Sequence, residues 1–317
     1  MPRFPKQFNL KEHLYLARFI AKKLGINDLK EINDFKDIPE GYHSDGYSYM
    51  YHHLLARSGR QIRETILREY DNNIREYVQK LNKKRTPRIT IKYFQYLALL
   101  FAEIYLDLYF QDPIQLLNAL NNFYEKNIDQ YKFYDEKNLH KIAYWMATGS
   151  GKTFITHINI WQFLKYNKGQ HKIDYNNILL ITANDDMTQQ HLEDLSRSGI
   201  KAEAFDGTKL AHYFGDKNTI KVLSIHKLTE EKTGTGVTID VAAFTSKNLV
   251  LVDEGHKGKA SKESRKWTRI KNEIARNGFT FEYSATFGQI IDNEKDENFQ
   301  EYTESILFDY SYKYFHN

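Results

Sequence analysis

The sequence contains no cysteine. That excludes disulfides and Cys-ligated zinc, and it suits the cytoplasm as the expected compartment. It also lacks any run of apolar residues long enough to span a bilayer. The most apolar helix candidate, Tyr93 to Phe110, is interrupted by Gln95, Glu103 and Asp107, so a buried helix is expected there and no membrane partner. The opening stretch MPRFPKQFNL has no apolar core, so no signal peptide is expected. No internal repeat or low-complexity tract stands out. Tryptophan is scarce, with 3 residues against 23 Tyr and 20 Phe, and this bias carries little about function. Charge of one sign is not in large excess either: the net charge of +4 permits a nucleic-acid partner without arguing for one.

What is present is an ordinary composition for a folded protein, 41% hydrophobic and 27% charged, over 317 residues, room for two domains. The stretch that organises the rest is Ile142 to Thr156. An apolar run, Ile142 to Met146, predicts a short buried strand. Ala147-Thr148-Gly149-Ser150-Gly151-Lys152-Thr153 follows, and then an apolar segment of helical character. Strand, Gly-rich loop, Lys-Thr and helix is the order that grips a nucleotide triphosphate. Gly149 and Gly151 let the loop turn so that backbone N–H groups face phosphate oxygens. The helix adds the positive end of its dipole. Lys152 is placed to reach the β- and γ-phosphates, and the Thr153 hydroxyl to take a position on Mg²⁺. The binding stretch is therefore Thr148, Gly149, Ser150, Gly151, Lys152 and Thr153.

Further along, Asn177 to Thr182, Lys221 to His226, Asn248 to Val252 and Thr280 to Ser284 read as strands, with helical patterns between the earlier ones. Alternation of this kind predicts a parallel, doubly wound sheet with ligands at the carboxyl ends of its strands. The most apolar of these strands runs into Asp253-Glu254-Gly255-His256. Asp253 at the strand tip is the expected second Mg²⁺ holder, and Glu254 the group that orients and deprotonates the attacking water. Upstream, residues 49 to 82 form a charged helical pattern in which Arg57, Arg60, Arg63, Arg68 and Arg75 recur. A solvated face paired with Glu64, Glu69 and Glu76 is the favoured reading, a phosphate-contacting face the other.

ATGSGKT, DEGH and SAT, in this order, resemble the first three motifs of superfamily 2 helicases and translocases. Met146, where the strict P-loop pattern has Gly, fits that group's variant. DEGHKG, FEYSATF and the long helical lead-in are similar to the motor subunit of type III restriction endonucleases. The resemblance implies an α/β P-loop NTPase domain, a RecA-like sheet over residues 136–317, preceded by a mainly α-helical region over residues 1–135. It implies ATP and Mg²⁺ as the ligands, with catalytic roles for Lys152, Asp253 and Glu254. His256, Ser284 and Thr286 would couple ATP state to nucleic-acid binding. Gln95, on a helix before the P-loop, would read the adenine edge; a Gln satisfied by backbone groups at its helix end is an equal alternative. Asn184 stands at a nucleic-acid-contacting motif position, with a plain βα turn as the alternative, and His226 ends the next strand.

Between Lys257 and Arg276 stand Lys257, Lys259, Lys262, Arg265, Lys266, Arg269, Lys271 and Arg276, opposed only by Glu263 and Glu273. Lys262, Arg265, Lys266 and Arg269 are the candidate contacts to a duplex DNA backbone, with a solvated helix as the alternative. Only residues 287–317 follow the SAT motif, too few for the second RecA-like domain such motors use. The ending from Phe308 to Phe315 reads as an element broken off mid-pattern. The resemblance implies as partners that second domain, a nuclease of the full-length protein, and a methyltransferase or specificity subunit. A P-loop kinase or other small-molecule NTPase would explain GSGKT but not DEGH with SAT. A non-catalytic module that binds DNA or a partner is the third reading.

Overall fold

The computed structural model describes residues 10–127, 134–205, 216–229, 239–240, 244, 247–253, 269–287 and 299–311. In chain order the helices are α1 (Tyr15–Lys23), α2 (Tyr49–Leu55), α3 (Glu64–Asn82), α4 (Tyr93–Gln111), α5 (Pro113–Asn127), α6 (Lys152–Tyr166), α7 (Asp185–Arg197) and α8 (Phe299–Ser305). The strands are β1 (Lys141–Met146), β2 (Ile178–Thr182), β3 (Ala202–Ala204), β4 (Ile220–Ser224), β5 (Leu228–Thr229), β6 (Ile239–Asp240), β7 (Leu249–Asp253), β8 (Phe279–Ser284) and β9 (Ile306–Tyr310). Among the described residues seven strands make one sheet in the order β3-β4-β2-β7-β8-β1-β9, and β5 and β6 pair separately. Every pairing in the seven-stranded sheet is parallel.

The sequence of the central strands dictates this arrangement. ILLIT in β2 and LVLVD in β7 are apolar at consecutive positions, so both faces must be covered. Parallel strands need crossover connections, and the amphipathic α7 supplies the one from β2 to β3, with β4 lying between these two strands in the sheet. On one side a continuous core joins Leu16 of α1, Phe101 of α4, Phe163 of α6 and Phe281 of β8, so the N-terminal helices and the sheet bury apolar surface together. A separate cluster on Leu179, Ile181, Val250 and Val252 lines the opposite face. Inside, Asn159 of α6 donates to Tyr144 Oη at 3.0 Å and accepts from Tyr283 Oη at 2.8 Å, tying the helix to β1 and β8.

Helix α4 is apolar on all sides and almost wholly buried, as its sequence predicts for an interior helix. Among the described residues no helix is long and apolar enough to cross a membrane. Two expectations change. The charged stretch is not one helix: it breaks between α2 and α3, around Ser58-Gly59. Of its arginines, Arg57 pairs with Glu31 and donates to Gly25 O at 3.2 Å, while Arg75 donates to Gly46 O at 2.6 Å. Those two hold loops, and Arg68 pairs with Glu64 on the surface. The second is at the end of the chain, where Ile306 to Tyr310 is the edge strand beside β1 and Tyr310 O accepts the Ala147 N–H at 2.8 Å. The rest of the run to Phe315, beyond Ser311, lies outside the described residues.

Glu103 is the buried acid of α4. Its carboxylate accepts from Asn73 Nδ2 (2.7 Å), Gln162 Nε2 (2.7 Å) and Tyr166 Oη (2.6 Å), joining α3, α4 and α6. Burial outweighs these bonds and pushes its pKa from 4.5 to about 7. The folded state thus holds this proton more tightly than the unfolded chain. Stability from Glu103 is fully present below about pH 4.5 and is lost as pH rises through about 7, a fall on the order of 3 kcal/mol. Glu103→Gln, which keeps the shape and cannot ionise, is expected to flatten that part of the profile. Urea unfolding of both proteins at pH 5 and pH 8 checks this; equal pH dependence in the two would show that Glu103 does not titrate on folding.

Candidate nucleotide site

At the tip of β1 the chain turns through Ala147 to Gly151 and enters α6. Gly149 has φ +79° and Gly151 φ +87°, the left-handed region that glycine enters without strain. Gly151 is the N-cap of α6, and no side chain caps that helix end. The leading N–H groups and the helix dipole are thereby directed at the loop, the arrangement that favours an anion. A Cβ at position 151 would collide with the Gln95 carboxamide, so glycine is required there for space as well as for φ.

Lys152 Nζ lies over the loop, 3.3 Å from Met146 O and 3.4 Å from Ala147 O. Strand order then fixes what faces it. One strand, β8, separates β1 from β7, and all three run the same way. The carboxyl ends therefore form one rim, with the P-loop and Asp253 roughly 10 Å apart at about 4.8 Å per strand. Ser284 sits between them at the end of β8. A cleft of about 480 Å³ opens on this rim. Thr148, Gly149, Gly151, Lys152, Thr153 and Asp253 line it, with Arg85, Phe154 and the α7 side chains Gln190, His191 and Asp194 on its other walls. Five of the six P-loop residues singled out in the sequence are brought together with Asp253. Ser150 is turned inward, 1% exposed, and its Oγ has no partner among the described residues.

Gln95 lies beneath the loop. Its Nε2 donates to Ser150 O at 2.8 Å, and its Oε1 accepts the Lys92 N–H at 2.9 Å, at the start of its own helix. Both ends of the amide are engaged with backbone, and Gln95 is not among the cleft-lining residues. Ser284 Oγ accepts the Thr286 N–H at 3.1 Å, and Thr286 Oγ1 is buried without a partner among the described residues. Asn184 caps α7 by accepting the Met187 N–H at 2.8 Å, the chemistry of a βα turn. His226 is exposed and lies in the 3-10 turn Ile225–Lys227 that follows β4, so the expected strand stops at Ser224. Of the basic run, Arg269 is exposed, whereas Lys271 is 2% exposed and paired with the buried Glu282, and Arg276 pairs with Glu273. Lys271 therefore adds no exposed charge to the basic run. Glu254, His256, Lys262, Arg265 and Lys266 lie outside the described residues.

His191 was not singled out in the sequence. It sits on α7 at 5% exposure, and its Nε2 is 2.9 Å from Asp253 Oδ2. Behind it, burial and then the neighbouring His191 and Arg85 push the His157 pKa down to about 3, so His157 is neutral. Its Nδ1 meets Ser198 Oγ at 2.8 Å, and the same Oγ accepts from Arg85 at 2.8 Å. A polar chain thus runs from α6 through the end of α7 to residue 85, and His191 orients Asp253 on the cleft side. Nothing local in HLEDL marks this histidine, because its partner is on a distant strand.

The donor set fits the ion that this class of site employs. The Thr153 hydroxyl and Asp253 carboxylate are hard oxygen ligands on one cleft, matched to Mg²⁺. A parallel sheet with one strand between the P-loop strand and the acidic strand, and GSGKT at the rim, is a RecA-like P-loop domain. Within that class the chain belongs to the Type III restriction enzyme res subunit family, which it matches over residues 111–289. No curated protein matches it. Among solved structures it is similar to the UvsW helicase of bacteriophage T4 (TM-score 0.39, 15% identity, 75% of this chain and 67% of that one). It is also similar to a Sulfolobus solfataricus SWI2/SNF2 ATPase core in complex with dsDNA (TM-score 0.36, 14% identity, 62% and 35%). A fragment of an HsdR subunit of a type I restriction enzyme from Vibrio vulnificus is a third likeness (TM-score 0.39, 14% identity, 96% and 45%). The chain spans less than half the length of the last two.

Proposed function

We propose that this chain is the ATP-hydrolysing motor domain of a DNA helicase or translocase belonging to a restriction or phage-defence enzyme. The observation that carries the reading is the convergence of Lys152, Thr153 and Asp253 on one cleft at the carboxyl rim of the sheet. The uncapped N-terminus of α6 and the loop N–H groups hold the phosphate chain. Lys152 adds a positive charge to its terminal oxygens. Thr153 and Asp253 are the residues that would hold Mg²⁺, with His191 steadying the carboxylate; the ion, when bound, neutralises charge on the phosphates. Glu254 aligns the attacking water and takes its proton. Gln95 holds the loop in register through Ser150 O. His256, which follows Glu254 by two positions in the sequence, and Ser284 and Thr286 at the tip of β8 pass the state of the site to the nucleic acid.

Duplex DNA is the proposed track, running over Asn184, His226, Arg269 and the basic residues Lys262, Arg265 and Lys266, which lie outside the described residues. A second RecA-like domain completes the site with arginine fingers, worth about 10³–10⁵ in rate in related NTPases. The proposed further partners are a nuclease and a methyltransferase or specificity subunit. The chain by itself is therefore expected to bind ATP, hydrolyse it slowly, and bind duplex DNA without sequence preference. Phosphate release measured with and without duplex tests the motor reading, and absence of ATP binding by calorimetry would end it. For the DNA surface, replacing Lys262, Arg265, Lys266 and Arg269 by Gln is expected to weaken binding and to lower the slope of affinity against salt, by up to about 4 in log–log terms. An unchanged slope would move the track to Asn184 and His226 alone.

A further inference from the structure

We propose that His43, Asp45 and His52 form a binding site for a divalent transition-metal ion of the zinc type. Among the described residues they are the one group of three or more His, Asp or Glu side chains whose donor atoms converge, all within 4.8 Å of one another. His52 Nε2 is 3.0 Å from Asp45 Oδ2, and His43 Nδ1 is 3.5 Å from Asp45 Oδ1. Ligand atoms of a tetrahedral zinc site stand about 3.3 Å apart, given bond lengths of about 2.0–2.1 Å. The two separations bracket that value but reach different oxygens of Asp45, and the three donor atoms stand within 4.8 Å of one another, so side-chain rotations are needed to draw the set onto one ion. Two imidazoles and a carboxylate suit Zn²⁺, Co²⁺ or Ni²⁺ far better than Mg²⁺.

The backbone holds the three side chains in place. Tyr42 and Ser48 pair as an antiparallel bridge, closing a hairpin. Across it His43 N–H donates to Tyr47 O at 2.8 Å, and Gly46 N–H to His43 O at 2.9 Å. Arg75 of α3 grips Gly46 O from behind. Ser48 then caps α2 by accepting the Tyr51 N–H at 2.9 Å, which sets His52 in the first turns of that helix. Asp45 Oδ1 accepts the Tyr47 N–H at 3.0 Å, the outer-shell bond that fixes a ligating carboxylate and leaves Oδ2 towards His52. His52 Nε2 is closed to solvent and faces Asp45 Oδ2 at 3.0 Å. Two independent surface ion pairs would be worth about 0–1 kcal/mol each and give no reason for both histidines to meet one carboxylate. The hairpin residues Gly41, Tyr42 and Ser48 also wall a cavity of about 570 Å³, whose other side is Lys92, Tyr93 and Tyr96 at the start of α4. An ion at this site would staple that wall to α2.

The test is a titration of the full chain, free of any affinity tag, with Co²⁺ followed by visible absorption and with Zn²⁺ followed by calorimetry. One equivalent of Co²⁺ is expected to give d–d absorption that Zn²⁺ removes and excess Mg²⁺ does not. The double variant His43→Ala/His52→Ala and the single variant Asp45→Asn are expected to lose that equivalent while keeping ATP affinity and the far-ultraviolet circular dichroism of the parent. Zn²⁺ is expected to raise the melting temperature of the parent and not of the variants. Should the double variant fail to fold, His43→Ala decides alone, because that side chain is exposed. No uptake by the parent, or equal uptake by parent and variants, overturns the proposal and leaves a pair of surface ion pairs.

Discussion

Glu254→Gln is expected to bind ATP as the parent does and to lose about 10²–10⁴-fold in turnover, the range general-base catalysis contributes. The reasoning starts at β7. Four consecutive apolar residues carry the strand through the middle of the sheet, and Asp253 emerges at the rim opposite the P-loop. The next residue in the chain is the one carboxylate that stands beside Asp253 in sequence. The amide of glutamine keeps the size and the hydrogen bonding of the acid but accepts no proton, so water alignment survives and proton removal does not. Phosphate release under single-turnover conditions, set beside an ATP titration by calorimetry, separates the two. Parent-like release from Glu254→Gln would assign water activation to another group. A fall in affinity equal to the fall in rate would mean that Glu254 acts in binding.

The parts of this site that could be read in the sequence are those made by neighbours in the chain. GSGKT at a strand–helix turn needs only local backbone geometry, and Asp253 needs only the end of an apolar run. The parallel sheet followed from the same alternation of elements for five of its strands, whereas the short β3 and the edge strand β9 were not read as strands. What could not be read depends on pairing across the fold. His191 faces Asp253 because α7 leaves β2, the strand next to β7. Gln95 was legible as an odd polar residue on an apolar helix, but its use is set by where α4 crosses the P-loop, and there its amide is taken by Lys92 N–H and Ser150 O. Lys271 counts as one more positive charge in the sequence and is in fact 2% exposed, bound to Glu282. Charge can be counted along a chain, whereas burial is decided by the elements that cover it. The same holds for Arg57 and Arg75, which serve backbone carbonyls. The three ligands of the proposed metal site lie within ten residues of each other, yet only the hairpin at Gly46 turns them to one point.

Lys152→Ala is expected to weaken ATP binding by about 10–100-fold, from roughly 1.5–3 kcal/mol for a hydrogen bond to a charged group. In the folded chain the ammonium is already held over the loop by Met146 O and Ala147 O, at 3.3 and 3.4 Å. Those bonds are at or beyond the long end of the normal range, so they keep the side chain aimed without competing strongly with a phosphate. Alanine removes the charge and leaves Gly149, Gly151 and the end of α6 unaltered, so the loop should keep its shape. The loss is accordingly expected to grow with the number of phosphates Lys152 reaches: largest for ATP, smaller for ADP, and close to nothing for AMP. Calorimetric titration of parent and variant with the three nucleotides reads this directly. A uniform loss across the series would mean that Lys152 supports the loop rather than the ligand. Unchanged ATP affinity would remove the P-loop from the nucleotide site, and with it the assignment of Asp253 to the same cleft.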